Sequence, residues 1–420
     1  MSPPRAPVDP LTGIEAARFA LYLHFPYCLS KCPYCDFAST AARQVPEVRY
    51  ADAVLRELEL RLKARPELAG RKLDAVFLGG GTPSLWDPRH VARVLGGVFS
   101  VLPLAEGAEV TLEANPGASD AGRFGGYREA GVNRLSIGVQ SFHPDTLKFL
   151  GRAHDDRAAV AAFRSARAAG FDNVSLDFIY GVPGQTLQMA REDALRAADL
   201  GSEHLSAYAL TLDRESLAEE VPLARQLSRG EVSLPPDDAV LAMQRAVRDA
   251  YRAAGLHRYE VSNYARRGHH SRHNAAYWTG GEYLALGSGA TGYLAEAAQP
   301  GHRGLRWQNH RSAERYLQSV EEGKLPVANE EPLGSSELFG ERVAMGLRLA
   351  PGEAPAAEGL DLAATFRAFG LGEAETREKL QRADALVKRG LLVRGGTEGQ
   401  RLAPTDEGLD LHSAVAAWLM

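Results

Sequence analysis

Leu21-Tyr22-Leu23-His24-Phe25-Pro26-Tyr27-Cys28-Leu29-Ser30-Lys31-Cys32-Pro33-Tyr34-Cys35-Asp36-Phe37 reads as a short apolar strand, Leu21–Phe25, running into a loop that holds every cysteine of the chain. The spacing is C-x3-C-x2-C, and there is no fourth cysteine in the 420 residues. A [4Fe–4S] cluster normally takes four thiolates, so three would leave one iron open to another ligand. An odd cysteine count confined to one loop points to metal or redox chemistry in a reducing compartment rather than to a disulfide framework.

Working outward, the same strand-then-loop unit recurs. Strand candidates lie at Leu73–Leu78, Glu109–Ala114, Arg134–Val139, Asn173–Ile179 and His204–Leu210. Helical periodicity fills the gaps at Tyr50–Ala64, Pro88–Val101, Gly117–Ala130, Arg157–Ala169 and Ala190–Leu200. Strands alternating with helices predict right-handed βαβ units around a parallel sheet. Six units fall short of an eight-fold barrel, so the expected fold class is α/β with a partial (βα)6 barrel. No Gly-x-Gly-x-x-Gly follows the first strand, which argues against dinucleotide binding.

Beyond Leu212 the rhythm changes. A polar, Pro-containing passage precedes a helix at Ala239–Ala254 and a strand candidate at Tyr259–Ser262. Residues Asn263–Gly292, rich in Gly, His and aromatics, read as loops lining something. Helices are expected at Ala313–Glu322, Ser335–Leu347, Leu362–Phe369 and Glu373–Arg389. Strands at Leu391–Arg394 and Arg401–Pro404 and a helix at Asp406–Leu419 then give a C-terminal, mainly helical, winged-helix-like domain. Its wing carries Glu398 and little basic charge, which favours packing over DNA binding. The expected divisions are a disordered lead-in at 1–18, the barrel at 19–245, a connecting segment at 246–305 and the C-terminal domain at 306–420.

The apolar fraction of 45% and the charged fraction of 24% are ordinary for a globular protein. A net charge of −5 argues against a general nucleic-acid binder. The Pro-rich start, Met1 to about Gly13, has no apolar core and does not read as a signal peptide. No apolar run reaches the ~18 residues of a membrane helix, so the cytoplasm is the expected location.

Active sites of parallel α/β folds form at the C-terminal strand ends. Read in order, those ends carry the cysteine loop, then Gly79-Gly80-Gly81-Thr82-Pro83-Ser84, Glu113 with Asn115, Gln140 with Ser141, and Asp177; Arg152 follows Gln140. A ligand suited to that set carries a cation, a carboxylate and a sugar with neighbouring hydroxyls. S-adenosylmethionine (SAM) has all three. Its amino and carboxylate groups would chelate the open iron, Glu113 would accept from the amino group, and Arg152 would clamp the carboxylate bidentately. Asp177 and Gln140 would bond the ribose, and the glycines would permit close backbone approach. Taken singly, each has a plain alternative: a tight turn for the glycines, an N-cap for Glu113, a surface pair with Asp155 or Asp156 for Arg152. The joint placement at successive strand ends favours the ligand. For the cysteine loop the rival is structural zinc on His24, Cys28, Cys32 and Cys35. Against it, His24 would lie inside the first strand.

The C-x3-C-x2-C loop with Tyr34 before the last cysteine resembles the radical SAM superfamily signature. More narrowly, Tyr22-x-His24-x-Pro26-x-Cys28, Gly79–Ser84, Thr111–Pro116, Ser136–Phe142, Asp177–Pro183 and Tyr259–Asn263 resemble the oxygen-independent coproporphyrinogen III oxidase (HemN) group. The resemblance implies a cluster on Cys28, Cys32 and Cys35, with Tyr22, Tyr34, Gly80, Gly81, Thr82 and Thr211 at cofactor-contact positions beside Glu113, Gln140, Arg152 and Asp177. Within the group, the decarboxylating oxidases have a fourth cysteine where Phe37 stands here, and a long N-terminal arm. The haem-chaperone branch, HemW-like, instead carries His-Asn-x-x-Tyr, matched by His273-Asn274-Ala275-Ala276-Tyr277. Imidazole is a good axial ligand for haem iron, and a phenol four residues on shares a helical face. Nearby His269 and His270 and a merely packed Tyr277 leave a structural role open. Thr291 stands where the family usually has His. The expectation is therefore a haem chaperone carrying a [4Fe–4S] cluster and SAM, with haem and an acceptor protein as partners. Alternatives are the oxidase and a zinc-stabilised binding module. The chain gives no sign of its oligomeric state beyond allowing a homodimer.

Overall fold

The computed structural model describes residues 19–212, 221–296, 304–350, 359–396 and 399–420. The lead-in at 1–18, part of the passage after Leu212, and Glu398 lie outside them. Six strands, β1 (Phe19–Phe25), β2 (Leu73–Gly80), β3 (Leu104–Ala114), β4 (Arg134–Gln140), β5 (Val174–Tyr180) and β6 (His204–Ala209), lie side by side in chain order. Every neighbouring pair among them is parallel. The helices cover one face, while Tyr22, Phe77, Glu113, Ser136 and Asp177 on the other line a cavity. The alternate side chains Phe19, Leu21, Leu23 and Phe25 meet the helix layer in the main hydrophobic core.

The crossover helices start where the sequence provides caps. Asp87 accepts from Arg89 N, with Pro88 at the first turn of Pro88–Val101. Asp155 accepts from Ala158 N at the head of Asp156–Ala168, and Thr186 from Met189 N at the head of Leu187–Asp199. The single helix expected over Gly117–Ala130 is two short ones, Ala118–Ala121 and Phe124–Glu129. The break falls at Gly122-Arg123, a poor helix centre, where the Arg123 guanidinium donates to the carbonyls of Ser84 and Leu85.

Two further expectations need correction. Tyr259–Ser262 is not a strand but the turn between β7 (His257–Arg258) and β8 (Asn263–Ala265). Glu260 holds that turn by accepting from Ser262 N. The passage read as loops, Asn263–Gly292, holds β8, a helix at Arg272–Trp278 and β9 (Glu282–Leu286), and runs into β10 (Thr291–Ala295). With β11 (Gly304–Asn309) and β12 (Val327–Leu333) these complete a twelve-stranded sheet among the described residues. Its order is β12-β11-β10-β9-β1-β2-β3-β4-β5-β6-β8-β7. β9 runs parallel to β1, pairing Tyr22 with Ala285. The junction expected at 305/306 thus falls inside a sheet strand, and that at 245/246 inside the helix Asp237–Ala253.

A second hydrophobic core gathers Phe339, Val343, Phe366, Leu386, Val415 and Leu419. Helix Glu373–Lys388, the antiparallel ribbon Leu392–Gly395 with Arg401–Pro404, and helices Asp406–Asp410 and His412–Leu419 surround it. The helix–ribbon–helix order is that expected of a winged-helix-like unit. It is fastened to the barrel by a buried ion pair, Arg258 to Asp410 at 2.7 Å. No helix among the described residues is long and apolar enough to cross a membrane.

Candidate functional site

A cavity of about 560 Å³ runs through the barrel from the cysteine loop to the opposite end of the strands. The residues expected to hold the cluster, SAM and haem all line it, from Cys28, Cys32 and Cys35 at the mouth to His273 and Tyr277 at the far end; Gly79, Ser84 and Ser141 do not.

The mouth is stitched together by backbone bonds. Gly81 N donates to Phe25 O and Thr82 N to Tyr27 O, which tie the glycine loop to the cysteine loop. Tyr27–Cys28 pairs with Thr40–Ala41, and Cys35 N donates to Cys32 O. The glycines are required here. Gly80 has φ +109°, and a Cβ on it would lie 2.5 Å from the His24 ring; a Cβ on Gly81 would lie 2.8 Å from Tyr27 O.

All three cysteines are free thiols. Thr82 Oγ1 donates to Cys28 Sγ at 3.4 Å and Arg152 Nη1 to Cys32 Sγ at 3.5 Å. Burial pushes the Cys28 and Cys35 thiols up, while the Thr82 hydroxyl pulls Cys28 the other way. Cluster iron would reverse that balance, because thiolate is the ligand form. His24 does not join them. Its Nε2 donates to Ala38 O at 2.8 Å, which leaves Nδ1 to accept from Tyr22 OH at 3.0 Å. Burial holds its pKa down at about 4. Among the described residues no three His, Cys, Asp or Glu side chains converge on a single-ion centre. A cube of four irons asks for something else, since each thiolate takes its own corner.

Below the mouth lie two carboxylates short of positive charge. Glu113 Oε2 accepts from Gly80 N at 3.1 Å; burial first, then the nearby Asp177, pushes its pKa up to about 8. Asp177 accepts from Ser136 and Ser175, and burial raises it as well. A cationic ligand would relieve both, and SAM, a sulfonium, is of that kind.

Gln140, with φ +67°, is the one non-glycine residue at positive φ among those described. It sits after a register shift in the β4–β5 pairing, and its amide lies over Gly138. Such strain persists only where the surroundings enforce it, and it clusters at ligand sites. Arg152 is less free than a bidentate clamp demands. Its Nη2 donates to Asn115 Oδ1 and Gly138 O, and only Nε lacks a partner. Here it braces the strand ends against the cysteine loop, and gripping a carboxylate would require it to turn. Tyr34 packs against the buried cluster of Leu150, Ile179 and Val182, and Thr211, exposed at the mouth, donates to Ala209 O.

The haem motif lies at the other end of the cavity. His273 is on the helix Arg272–Trp278, at the end of the barrel where the strands begin, and is only 2% exposed. Ser271 caps that helix, and Glu109 accepts from Ser271 Oγ, Arg272 N and His273 N. The His273 ring stacks 4.9 Å from Phe77 and 6.2 Å from Tyr22, and its Nε2 meets Tyr277 OH at 2.9 Å. Sharing a helical face, as anticipated, brings the phenol to the imidazole. Burial, then the Arg134 charge, lowers the His273 pKa to about 3, so the ring is neutral. Sequence reasoning passed over Arg134, Ser136, His204 and Tyr208, which also line the cavity. A charged residue opening an otherwise apolar strand was the available signal for Arg134.

Residues 22–197 match the radical SAM superfamily. The chain is 38% identical to the heme chaperone HemW of Mycobacterium tuberculosis over 99% of both chains. The chain belongs to the HemW heme chaperone family. It is also 40% identical to the heme chaperone HemW of Escherichia coli, over 66% of this chain and 71% of that one. Among solved structures, the radical SAM enzyme coproporphyrinogen III oxidase (HemN) of Escherichia coli superposes with a TM-score of 0.76 at 22% identity. The match covers 96% of this chain and 90% of that one. At that identity the likeness speaks for the fold, and family membership rests on the HemW relatives.

Proposed function

We propose that this protein is a cytoplasmic haem chaperone that binds haem and passes it to an acceptor protein, and that it carries a [4Fe–4S] cluster and SAM. The observation that carries the reading is similarity to a named heme chaperone along the entire length of both chains. Phe37 supports it: an exposed phenylalanine stands where the oxidases have a fourth cysteine.

In this reading Cys28, Cys32 and Cys35 hold the cluster, which supplies an open iron and reducing power when bound. Thr82 and Arg152 donate to the sulfurs. Glu113 accepts from the SAM amino group, Gln140 and Asp177 take the ribose, and Gly80, Gly81, Tyr22, Tyr34 and Thr211 shape the pocket. His273 is the candidate haem ligand, with Tyr277 holding its ring. Ligation through Nε2 would require the bond to Tyr277 OH to open.

Haem titration of anaerobically purified wild type and His273→Ala is the test, with about tenfold or greater weakening expected in the variant. Equal affinities would remove His273 as a ligand. Incubation with coproporphyrinogen III, SAM and a strong reductant should give no protoporphyrinogen IX. Product formed at catalytic turnover would overturn the chaperone reading in favour of the oxidase.

A further inference from the structure

The far end of the cavity holds two buried polar side chains with atoms that no group among the described residues satisfies. Arg134 opens β4 and is 2% exposed. Its Nη1 makes one long bond, 3.4 Å, to Thr111 Oγ1, and its Nε has no partner. His273 is equally buried, and its Nδ1 has no partner either. Both residues line the cavity.

The nearest acid does not account for this. Glu109 Oε2 stands 3.9 Å from Arg134 Nε, beyond hydrogen-bond reach, and both Glu109 oxygens are taken by the head of the helix that carries His273. Asp177 feels the Arg134 charge but gives its oxygens to Ser136 and Ser175. His204, the other imidazole here, has both nitrogens engaged, Nδ1 with Ser175 Oγ and Nε2 with Tyr259 OH, each at 2.8 Å. A buried guanidinium left with one long hydrogen bond is costly unless something completes it.

In the tautomer whose Nε2 accepts from Tyr277 OH, the neutral His273 ring carries its proton on Nδ1. Two N–H donors, one of them cationic, then line the same end of one cavity. We infer that Arg134 and His273 form a carboxylate-binding subsite at the floor of the barrel, for the acid group of a second organic ligand lying beyond the SAM residues. The Phe77 and Tyr22 rings beside His273 provide an apolar wall for the ligand's hydrocarbon part. The subsite stands apart from the haem reading, because it uses Nδ1 of His273 and not the nitrogen that would meet iron. The carboxylate has two sources, a free small acid or a propionate of haem.

The test uses full-length protein, with propionate as the first probe and the His273 ring resonance, assigned by loss in His273→Gln, as the readout. Propionate is expected to shift that resonance saturably in wild type and to bind about tenfold more weakly in Arg134→Gln. Arg134→Lys keeps the buried charge, serves if the first variant fails to fold, and should show weakening too, since lysine has no fork of donors. Haem and its dimethyl ester separate the sources. If a haem propionate fills the subsite, the ester binds wild type about tenfold more weakly and Arg134→Gln erases the difference. If a free acid fills it, haem and ester bind alike while propionate still shifts His273. The inference is overturned if propionate leaves the wild-type resonance unmoved and the two haems bind equally. A propionate response of the same strength in wild type and both Arg134 variants overturns it as well.

Discussion

The two ends of one cavity are built on opposite electrostatic plans. At the mouth, free thiols meet donors from Thr82 and Arg152, and burial raises the carboxyls of Glu113 and Asp177. At the floor the surplus is reversed: Arg134 Nε and His273 Nδ1 have no hydrogen-bond partner among the described residues, and aromatic rings stand beside His273. Each end is costly alone, since buried polar groups left short of hydrogen-bond partners oppose folding. The pattern suits a passage filled by ligands of complementary charge, cationic under the cysteine loop and anionic at the base.

The comparison breaks most completely at the cysteines. Cys28→Ala should leave anaerobically reconstituted protein with iron and acid-labile sulfide near zero, against about four irons per chain in wild type. Full cluster occupancy in the variant would remove Cys28 from the ligand set. Next in size is Gly80→Ala, which sets a Cβ 2.5 Å from the His24 ring at a φ of +109°. Denaturant unfolding should show a loss of about 2 kcal/mol or more. An unchanged midpoint would mean that the mouth can yield.

Glu113 sharpens the contrast through pH. Its carboxyl is pushed from 4.5 to about 8 in the folded protein, so between those values the native state holds the proton more tightly than the unfolded chain. Stability of the ligand-free protein should therefore fall as pH rises across that window, and Glu113→Gln should flatten the slope. Ionised Glu113 is the form that accepts from an amine N–H and suits the positive charge of the SAM sulfonium. SAM should accordingly bind up to about tenfold more tightly per unit from about pH 6 to about pH 8, and Glu113→Gln should bind about tenfold more weakly without that dependence. Equilibrium dialysis with labelled SAM measures both, and a pH-independent wild type would end this account of the mouth. The smallest effect belongs to Gln140→Gly. Relief of the positive φ should stabilise the fold by about 1 kcal/mol while SAM affinity drops. A variant with both quantities unchanged would show that Gln140 is neither strained nor in contact.

The mouth was legible in the residues because each part is local. A strand end, a cysteine spacing and a glycine run are read without knowing what lies opposite, and successive strand ends of a parallel sheet share one rim by topology alone. Arg152 shows the limit. Its charge was evident, but its bracing of Asn115, Gly138 and the cysteine loop depends on which groups the fold brings to it.

The floor was not legible. Glu282–Leu286 is a five-residue segment in a Gly-rich passage, and becomes a strand because it lies parallel to Phe19–Phe25, more than 250 residues earlier. That pairing carries the preceding helix under the barrel and turns His273 from a loop histidine into a buried ring stacked on Phe77. So the sequence by itself determined the βα rhythm, the cysteine loop and the acids beneath it, all consequences of spacing along the chain. Only the tertiary structure decided that the cysteine loop and the His-Asn-x-x-Tyr helix close opposite ends of one cavity, because long-range strand pairing leaves no mark in local periodicity.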